Sequence, residues 1–393
     1  MFELEEQGPS FELSEAGSVG AVIKVVGVGG AGGNAVQRMI EAGVQGVRFI
    51  AMNTDAQALN RNPATERLQL GMKLTKGLGS GANPEVARQA ALESEQEIVE
   101  ALKGADMVFI AAGMGKGTGT GAAPVVAEIA RKMGILTVPV VTRPFSNEGP
   151  MNAKRAEAGL AALRAVCDSI LVIPNDRIIT VGPHNPLKNG FKAVDDTLRF
   201  SIQAITDVVT LEGLLNTDFN DVRTVMLGQK GIYLGCGAAD GEDAALRAAR
   251  QALTNPYLEA PFHGGARGLL VAVSVRDESR FTAADHNAIL AEIGATGAKD
   301  SNSINGLAYR ADQAEDVRVT VIATGFEGGA QKGAPNPDDL PILDALNRIS
   351  GATGEAPRRP RVEAFMHDSE DLAIPAFIRR NRLAALEAGP AGD

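Results

Sequence analysis

Two glycine clusters constrain this chain more than any other feature. The first is Gly27-Val28-Gly29-Gly30-Ala31-Gly32-Gly33-Asn34 and the second Gly113-Met114-Gly115-Lys116-Gly117-Thr118-Gly119-Thr120-Gly121. Each follows a short apolar run and opens a helical pattern. Glycine lets a backbone turn tightly and approach a phosphate, and a helix N-terminus offers aligned N–H donors. Gly27, Gly29 and Gly32 fit the spacing G-x-G-x-x-G. A tight strand–helix packing turn would show that spacing too. The second cluster is not a Walker A loop, because Lys116 is followed by Gly117 rather than Ser or Thr. A dinucleotide-dependent dehydrogenase needs one such loop. Two of them, at two strand ends, suggest one nucleotide gripped from both sides.

The surrounding pattern predicts an α/β fold. Residues 21–28, 47–52, 107–112, 136–142 and 170–173 read as short, nearly all-apolar strands. Helical stretches begin at Asn34 and cover 122–133 and 154–166. Such strands between helices imply a parallel sheet covered on both faces, doubly wound, with ligands at the carboxyl ends of the strands. Phe191, Val194, Leu198, Ile202, Ile205 and Val209 then recur at three- or four-residue spacing, as in a long amphipathic helix. A second, smaller α/β region is expected over 222–325, with strands at 232–236, 268–275 and 317–324 and helices near 243–253 and 283–293. The texture predicts a flexible leader (1–20), a nucleotide-binding domain (21–190), a central helix and following loop (191–221), the second domain (222–325), a disordered linker (326–368) and a tail (369–393). Apolar Leu372, Ile374, Pro375, Phe377 and Ile378 return in the tail, as a docking peptide or as a helix packed back on the domain.

Composition excludes several classes. With 48 acidic against 38 basic residues and a net charge of −10, the chain is no general nucleic-acid binder. Cys167 and Cys236 fit a reducing compartment. Residues 1–7 are acidic and lack the apolar stretch of a signal peptide. No apolar run approaches the roughly 20 residues that cross a bilayer, so membrane insertion is not expected and the cytoplasm is. His184, His263, His286 and His367 lie far apart, in no metal-ligand spacing.

The second cluster resembles the signature loop of the tubulin/FtsZ family, G-G-G-T-G-T-G, and the first resembles that family's phrase G-V-G-G-A-G-G-N. Residues 53–59, 79–84, 173–176 and 216–226 are similar in order, so the resemblance covers roughly 21–325. Residues 374–379 also resemble the family's C-terminal peptide. The resemblance implies a tubulin/FtsZ-like fold that binds GTP or GDP with Mg²⁺. It implies head-to-tail polymers in a bacterial division ring at mid-cell, and membrane-tethering division proteins docked around Ile374, Pro375 and Phe377. Gly30, Ala31, Gly32, Gly33 and Asn34 would hold the α- and β-phosphates; Gly117, Thr118 and Gly119 would hold the β- and γ-phosphates. Glu148 would accept from the ribose, while Asn175 and Asp196 would read guanine. Phe191 would pack near the base or simply fill the helix core. Asn216, Asp218 and Asp221 would enter the neighbouring subunit's site and polarise the attacking water. On their own, Asp218 and Asp221 are also what a helix N-cap looks like.

Three positions depart from the family pattern. Lys116 stands where Gly is expected; at positive φ it would cost about 1–2 kcal/mol, or its ammonium would add a phosphate contact. Asn147 replaces a Phe before Glu148. Asn152 stands where a nucleotide-contacting Arg is expected, so the resemblance makes Asn152 itself a nucleotide-binding position, with Lys154 or Arg155 one turn further as substitutes. An altered site leaves open a GTP-binding filament protein with little hydrolysis. An NAD-dependent oxidoreductase, with Asp55 about 20 residues beyond the first loop as its ribose acid, leaves the second loop and residues 216–226 unexplained.

Overall fold

The computed structural model describes residues 21–167, 169–177, 187–210, 219–229, 231–254, 264–311 and 313–326. They all fall within one folded unit, Met1–Ala334; a second unit, Pro335–Asp393, lies outside them, and with it the expected tail peptide.

The first half builds a six-stranded, all-parallel sheet from β1 (Ile23–Val28), β2 (Val47–Asn53), β3 (Glu66–Gln69), β4 (Met107–Gly113), β5 (Leu136–Arg143) and β6 (Leu171–Pro174), in the order β3-β2-β1-β4-β5-β6. Every residue of β1 is buried. Successive side chains leave on opposite faces: Ile23 and Val25 enter one core, Val26 and Val28 the other. Lys24 is tolerated inside this run because its ammonium donates to the carbonyls of Ala101 and Lys103 at 2.8 and 3.0 Å, where the negative end of a helix lies.

The helices are α1 (Gly29–Glu41), α2 (Ala56–Asn60), α3 (Met72–Thr75), α4 (Pro84–Glu93), α5 (Glu95–Leu102), α6 (Thr118–Lys132) and α7 (Pro150–Val166), with a 3-10 turn at Ser146–Glu148. The predicted strands are found. Helices α1 and α6 start five and four residues earlier than the sequence pattern suggests, at Gly29 and Thr118 rather than 34 and 122. The glycines that read as loop are wound into first helical turns; packing overrides their low helix propensity.

The amphipathic segment forms α8 (Leu187–Thr210). Its Leu198, Ile202 and Ile205 are fully buried in a core shared with β1, β5 and the second sheet. Beyond α9 (Phe219–Met226), that sheet contains β7 (Ile232–Ala239), β8 (Ala266–Val275), β9 (Gly297–Tyr309) and β10 (Val317–Thr324), in the order β7-β10-β8-β9. β10 runs antiparallel to β7 and β8, and β9 parallel to β8. Helices α10 (Ala244–Leu253) and α11 (Ala283–Gly294) pack on it with their own core.

Candidate nucleotide site

The strand order reverses direction between β1 and β4, which are adjacent. In an open parallel sheet the crevice outside the strand carboxyl ends at such a point is the ligand site. The two glycine loops leave these two strands there.

Neither helix that follows has a side-chain cap or an acidic residue in its first turn. In the same domain Asp55 accepts from Gln57 and Ala58 at the start of α2 and Asn83 from Glu85 at the start of α4, whereas α3, α5 and α7 also lack a side-chain cap, so it is the place of α1 and α6 at the switch point that sets them apart. The first N–H groups of a helix need partners. At α1 and α6 they face the crevice with their positive dipole ends, an arrangement that suits an anion. Gly30, Ala31, Gly32 and Gly33 lie in the opening turns of α1, followed by Asn34; Thr118 and Gly119 open α6, and Gly117 precedes it.

The loops also touch. Gly29 has φ +75°, and a Cβ there would stand 2.9 Å from the Gly119 nitrogen and 3.1 Å from Thr118 Cβ. The Thr118 hydroxyl lies 2.7 Å from that of Thr54 and 3.4 Å from that of Ser80. Thr54 and Ser80 had no assigned role from the sequence, although both stand in segments, 53–59 and 79–84, that carry the family resemblance. Thr120 accepts from the Gly115 N–H at 2.8 Å, which fixes the second loop.

At the rim, the half-buried Glu148 ends the 3-10 turn. Its Oε1 accepts from the Phe145 N–H at 3.0 Å, and its Oε2 lies 3.5 Å from the Lys116 ammonium. Asn152, in the first turn of α7, donates to the Glu148 carbonyl at 3.1 Å. Lys116 is not among the positive-φ residues; Gly115 takes that role at φ +106°. The backbone cost considered for Lys116 therefore does not arise. Asn147 is exposed in the same turn, Lys154 is exposed, and Arg155 is half-buried. Asn175 follows β6 and is 7% exposed, and its Oδ1 is buried with no hydrogen-bond partner among the described residues. A buried acceptor left open is costly and suits a ligand that brings a donor. Asp196 lies on α8, its side chain outside the described residues, as is that of Phe191.

Asn216 and Asp218 lie outside the described residues. Asp221 stands in the first turn of α9, where its charge suits the helix dipole. It does not join the glycine loops. Arg223, on the same helix, donates to the Gly134 carbonyl at 3.3 Å. Gly134 follows the far end of the 15-residue α6, so α9 lies at the amino edge of the sheet. At 1.5 Å per residue, the two ends of α6 are about 22 Å apart. Among the described residues no three His, Cys, Asp or Glu side chains gather as metal ligands.

A doubly wound nucleotide-binding domain with two uncapped glycine-loop helices defines the class of this protein. The description "Tubulin/FtsZ family, GTPase domain" matches residues 22–183, and "FtsZ family, C-terminal domain" matches residues 231–327. An empty FtsZ dimer from M. jannaschii is 38% identical, with 80% of this chain and 95% of that one covered and a TM-score of 0.73. A mutant form of FtsZ from M. jannaschii is 40% identical over 78% of this chain and 92% of that one, also at 0.73. CetZ2 from Haloferax volcanii, a GTPγS-bound protofilament, shares the fold at 20% identity and a TM-score of 0.64, covering 78% and 93% of the two chains. This chain belongs to the tubulin/FtsZ family, with the C-terminal domain of its FtsZ branch. It is a tubulin-like GTPase, and the nicotinamide alternative loses its basis.

Proposed function

We propose that the chain binds GTP in the crevice between β1 and β4 and hydrolyses it on head-to-tail self-association. The observation that carries this reading is the separation of Asp221 from the glycine loops within one molecule. An acidic group at the opposite edge of the sheet reaches a γ-phosphate only if another copy stacks end to end. Exposed Met72, Leu74 and Leu78, in and just after α3 at the carboxyl edge of the sheet, support such docking; exposed apolar clusters mark interaction surfaces.

In this reading Gly30 to Asn34 hold the α- and β-phosphates, and Gly117, Thr118 and Gly119 the β- and γ-phosphates. Glu148 accepts from the ribose, with Asn152 holding its turn. Asn175 and Asp196 receive guanine donors, the first through its open Oδ1. Asn216, Asp218 and Asp221 come from the neighbouring subunit, and the carboxylates orient the attacking water. Phosphoryl transfer depends on such positioning and charge stabilisation. Mg²⁺ would be held by the triphosphate oxygens with the Thr118 hydroxyl, and it would neutralise phosphate charge. Assembly into a bacterial division ring at mid-cell, on the cytoplasmic side, and tethering through Ile374, Pro375 and Phe377 rest on the sequence resemblance.

Phosphate release per molecule, measured with GTP and Mg²⁺ over a range of protein concentrations, tests the proposal. A threshold followed by a steep rise is expected. Asp221→Ala should bind GTP normally and lose at least about a hundredfold in turnover, as removal of an essential water-orienting group does. A rate per molecule that is independent of concentration would overturn the shared site. Tight binding without release at any concentration would support the low-hydrolysis filament instead.

A further inference from the structure

We infer that Lys116 is a positioning residue for ribose recognition: it holds the Glu148 carboxylate, through Oε2, at the mouth of the nucleotide site. This rests on the reading of Glu148 as the ribose acceptor.

Glu148 occupies a poorly supported place. Its turn is three residues long and ends at Gly149, whose φ of +94° breaks the backbone before α7 begins. Within a turn that short, the Phe145 N–H is the one contact that restrains the carboxylate, and it reaches only Oε1. Two contacts hold the carboxylate and a third holds the turn. The Phe145 N–H holds Oε1 from within the turn, Lys116 faces Oε2 from the second glycine loop, and Asn152 of α7 holds the backbone carbonyl. Two of these three donors, Lys116 and Asn152, are positions where the sequence departs from the family pattern.

The Lys116 contact differs from the intrahelical surface pairs of this protein and belongs with pairs such as Arg276–Asp316 and Arg310–Asp207 that tie separate segments together. Arg38–Glu41, Arg88–Glu85 and Lys132–Glu128 each join neighbouring turns of one helix. Lys116–Glu148 joins two separate loops, and its carboxylate is only 20% exposed. A carboxylate has about four lone-pair sites. Held by one N–H and one ammonium, it keeps sites for both the 2′- and 3′-hydroxyls. Lys116 directly precedes Gly117 in the phosphate loop, so the ion pair also sets the spacing between ribose acceptor and phosphate cradle.

The full chain is titrated with GTP and with 2′,3′-dideoxyGTP, both with Mg²⁺, as wild type, Lys116→Gln, Lys116→Arg, Glu148→Gln and the double variant Lys116→Gln/Glu148→Gln. The readout is the affinity ratio of the two nucleotides, and thermal unfolding checks that each variant folds. Wild type should prefer GTP, and Glu148→Gln should abolish that preference. Lys116→Gln should reduce it roughly two- to fivefold, the size of a partly exposed ion pair, with the dideoxy affinity little changed. Lys116→Arg should restore most of it, and the double variant should match Glu148→Gln. Equal weakening of both nucleotides by Lys116→Gln would make Lys116 a phosphate contact and overturn the proposal. So would an unchanged ratio in Lys116→Gln alongside a collapsed ratio in Glu148→Gln. A ratio that survives Glu148→Gln would instead overturn the ribose reading of Glu148, and this inference with it.

Discussion

Glycine crowds both sheets, yet it serves different ends in each. In the second sheet, a Cβ at Gly235 or Gly237 of β7 would overlap the Ala252 or Ala248 carbonyl oxygen of α10. There glycine lets a helix lie directly on a strand, and nothing more. Beside the first sheet Gly32 also answers to packing, since its Cβ would overlap the Ala111 carbonyl oxygen of β4, whatever its backbone N–H does for a phosphate. Gly30, two residues earlier, has no heavy atom from outside its own helix turn within 4 Å of its Cβ position. It lies in an uncapped helix turn at the strand carboxyl edge, and packing does not explain it. Glycine density by itself is therefore no phosphate signal. Glycine with open space, at an uncapped helix start beside a switch point, is one.

Alanine at each kind of position can break this distinction. The largest effect should come from Gly237→Ala. The new methyl meets the Ala248 carbonyl oxygen and stands 2.7 Å from the Ala252 nitrogen, both rigid backbone atoms. Overpacking of this kind costs about 1–3 kcal/mol, so the thermal midpoint should fall while GTP affinity per folded molecule stays the same. A parallel loss of GTP affinity would mean that the second sheet is coupled to the nucleotide site.

Gly30→Ala should do the opposite. Alanine is better than glycine in a helix by about 1 kcal/mol, and the site is free of clashes, so the midpoint should not drop. A phosphate resting on the backbone at Gly30 would meet the methyl, and GTP affinity should fall about tenfold, or about 1.4 kcal/mol. Unchanged affinity in a titration would move the phosphate away from this turn and leave Gly30 unexplained.

How far the sequence reaches follows the same line. The parallel strands and both loops are legible because all-apolar runs end abruptly in glycine, a local signal. The uncapped state of α1 and α6 is not legible, because the pattern starts these helices at Asn34 and Ala122 and hides their glycine first turns. Nor is helix α4, because its buried face is only Ala87, Ala90 and Ala91, too weak a period to separate from a loop. Strand β9 is missed because its first residues are polar and it lies at the sheet edge. The Lys116–Glu148 pair, the Thr54–Thr118–Ser80 hydroxyl group and the open Oδ1 of Asn175 have no local trace. Each joins segments far apart in the chain, or depends on what fails to reach a buried atom. Residues 216 and 218 rest on resemblance alone, and their loop lies outside the described structure.

The link between the two regions sharpens the comparison further. Asp207, on α8, lies 3.5 Å from Arg310, which follows β9. Burial pushes the Asp207 carboxyl above its ordinary value, and the nearby Arg310 and Arg318 offset this only in part. The charged form is thus the disfavoured one in the folded protein. A raised folded pKa contributes stability that is complete below the unfolded value, about 3.9, and is lost as pH rises through the folded value. At neutral pH the charge on Asp207 is therefore a small liability, and the junction is held by Leu198, Ile202 and Ile205 in the shared core. Asp207→Asn should match or exceed wild type in thermal midpoint at pH 7, by under about 1 kcal/mol. Its advantage should shrink as pH falls towards 4, where wild type takes up its proton. GTP affinity should not change at either pH. A variant clearly less stable at pH 7 than at pH 4, relative to wild type, would show that the ion pair outweighs burial, and that charge rather than apolar packing ties the second sheet to the nucleotide-binding one.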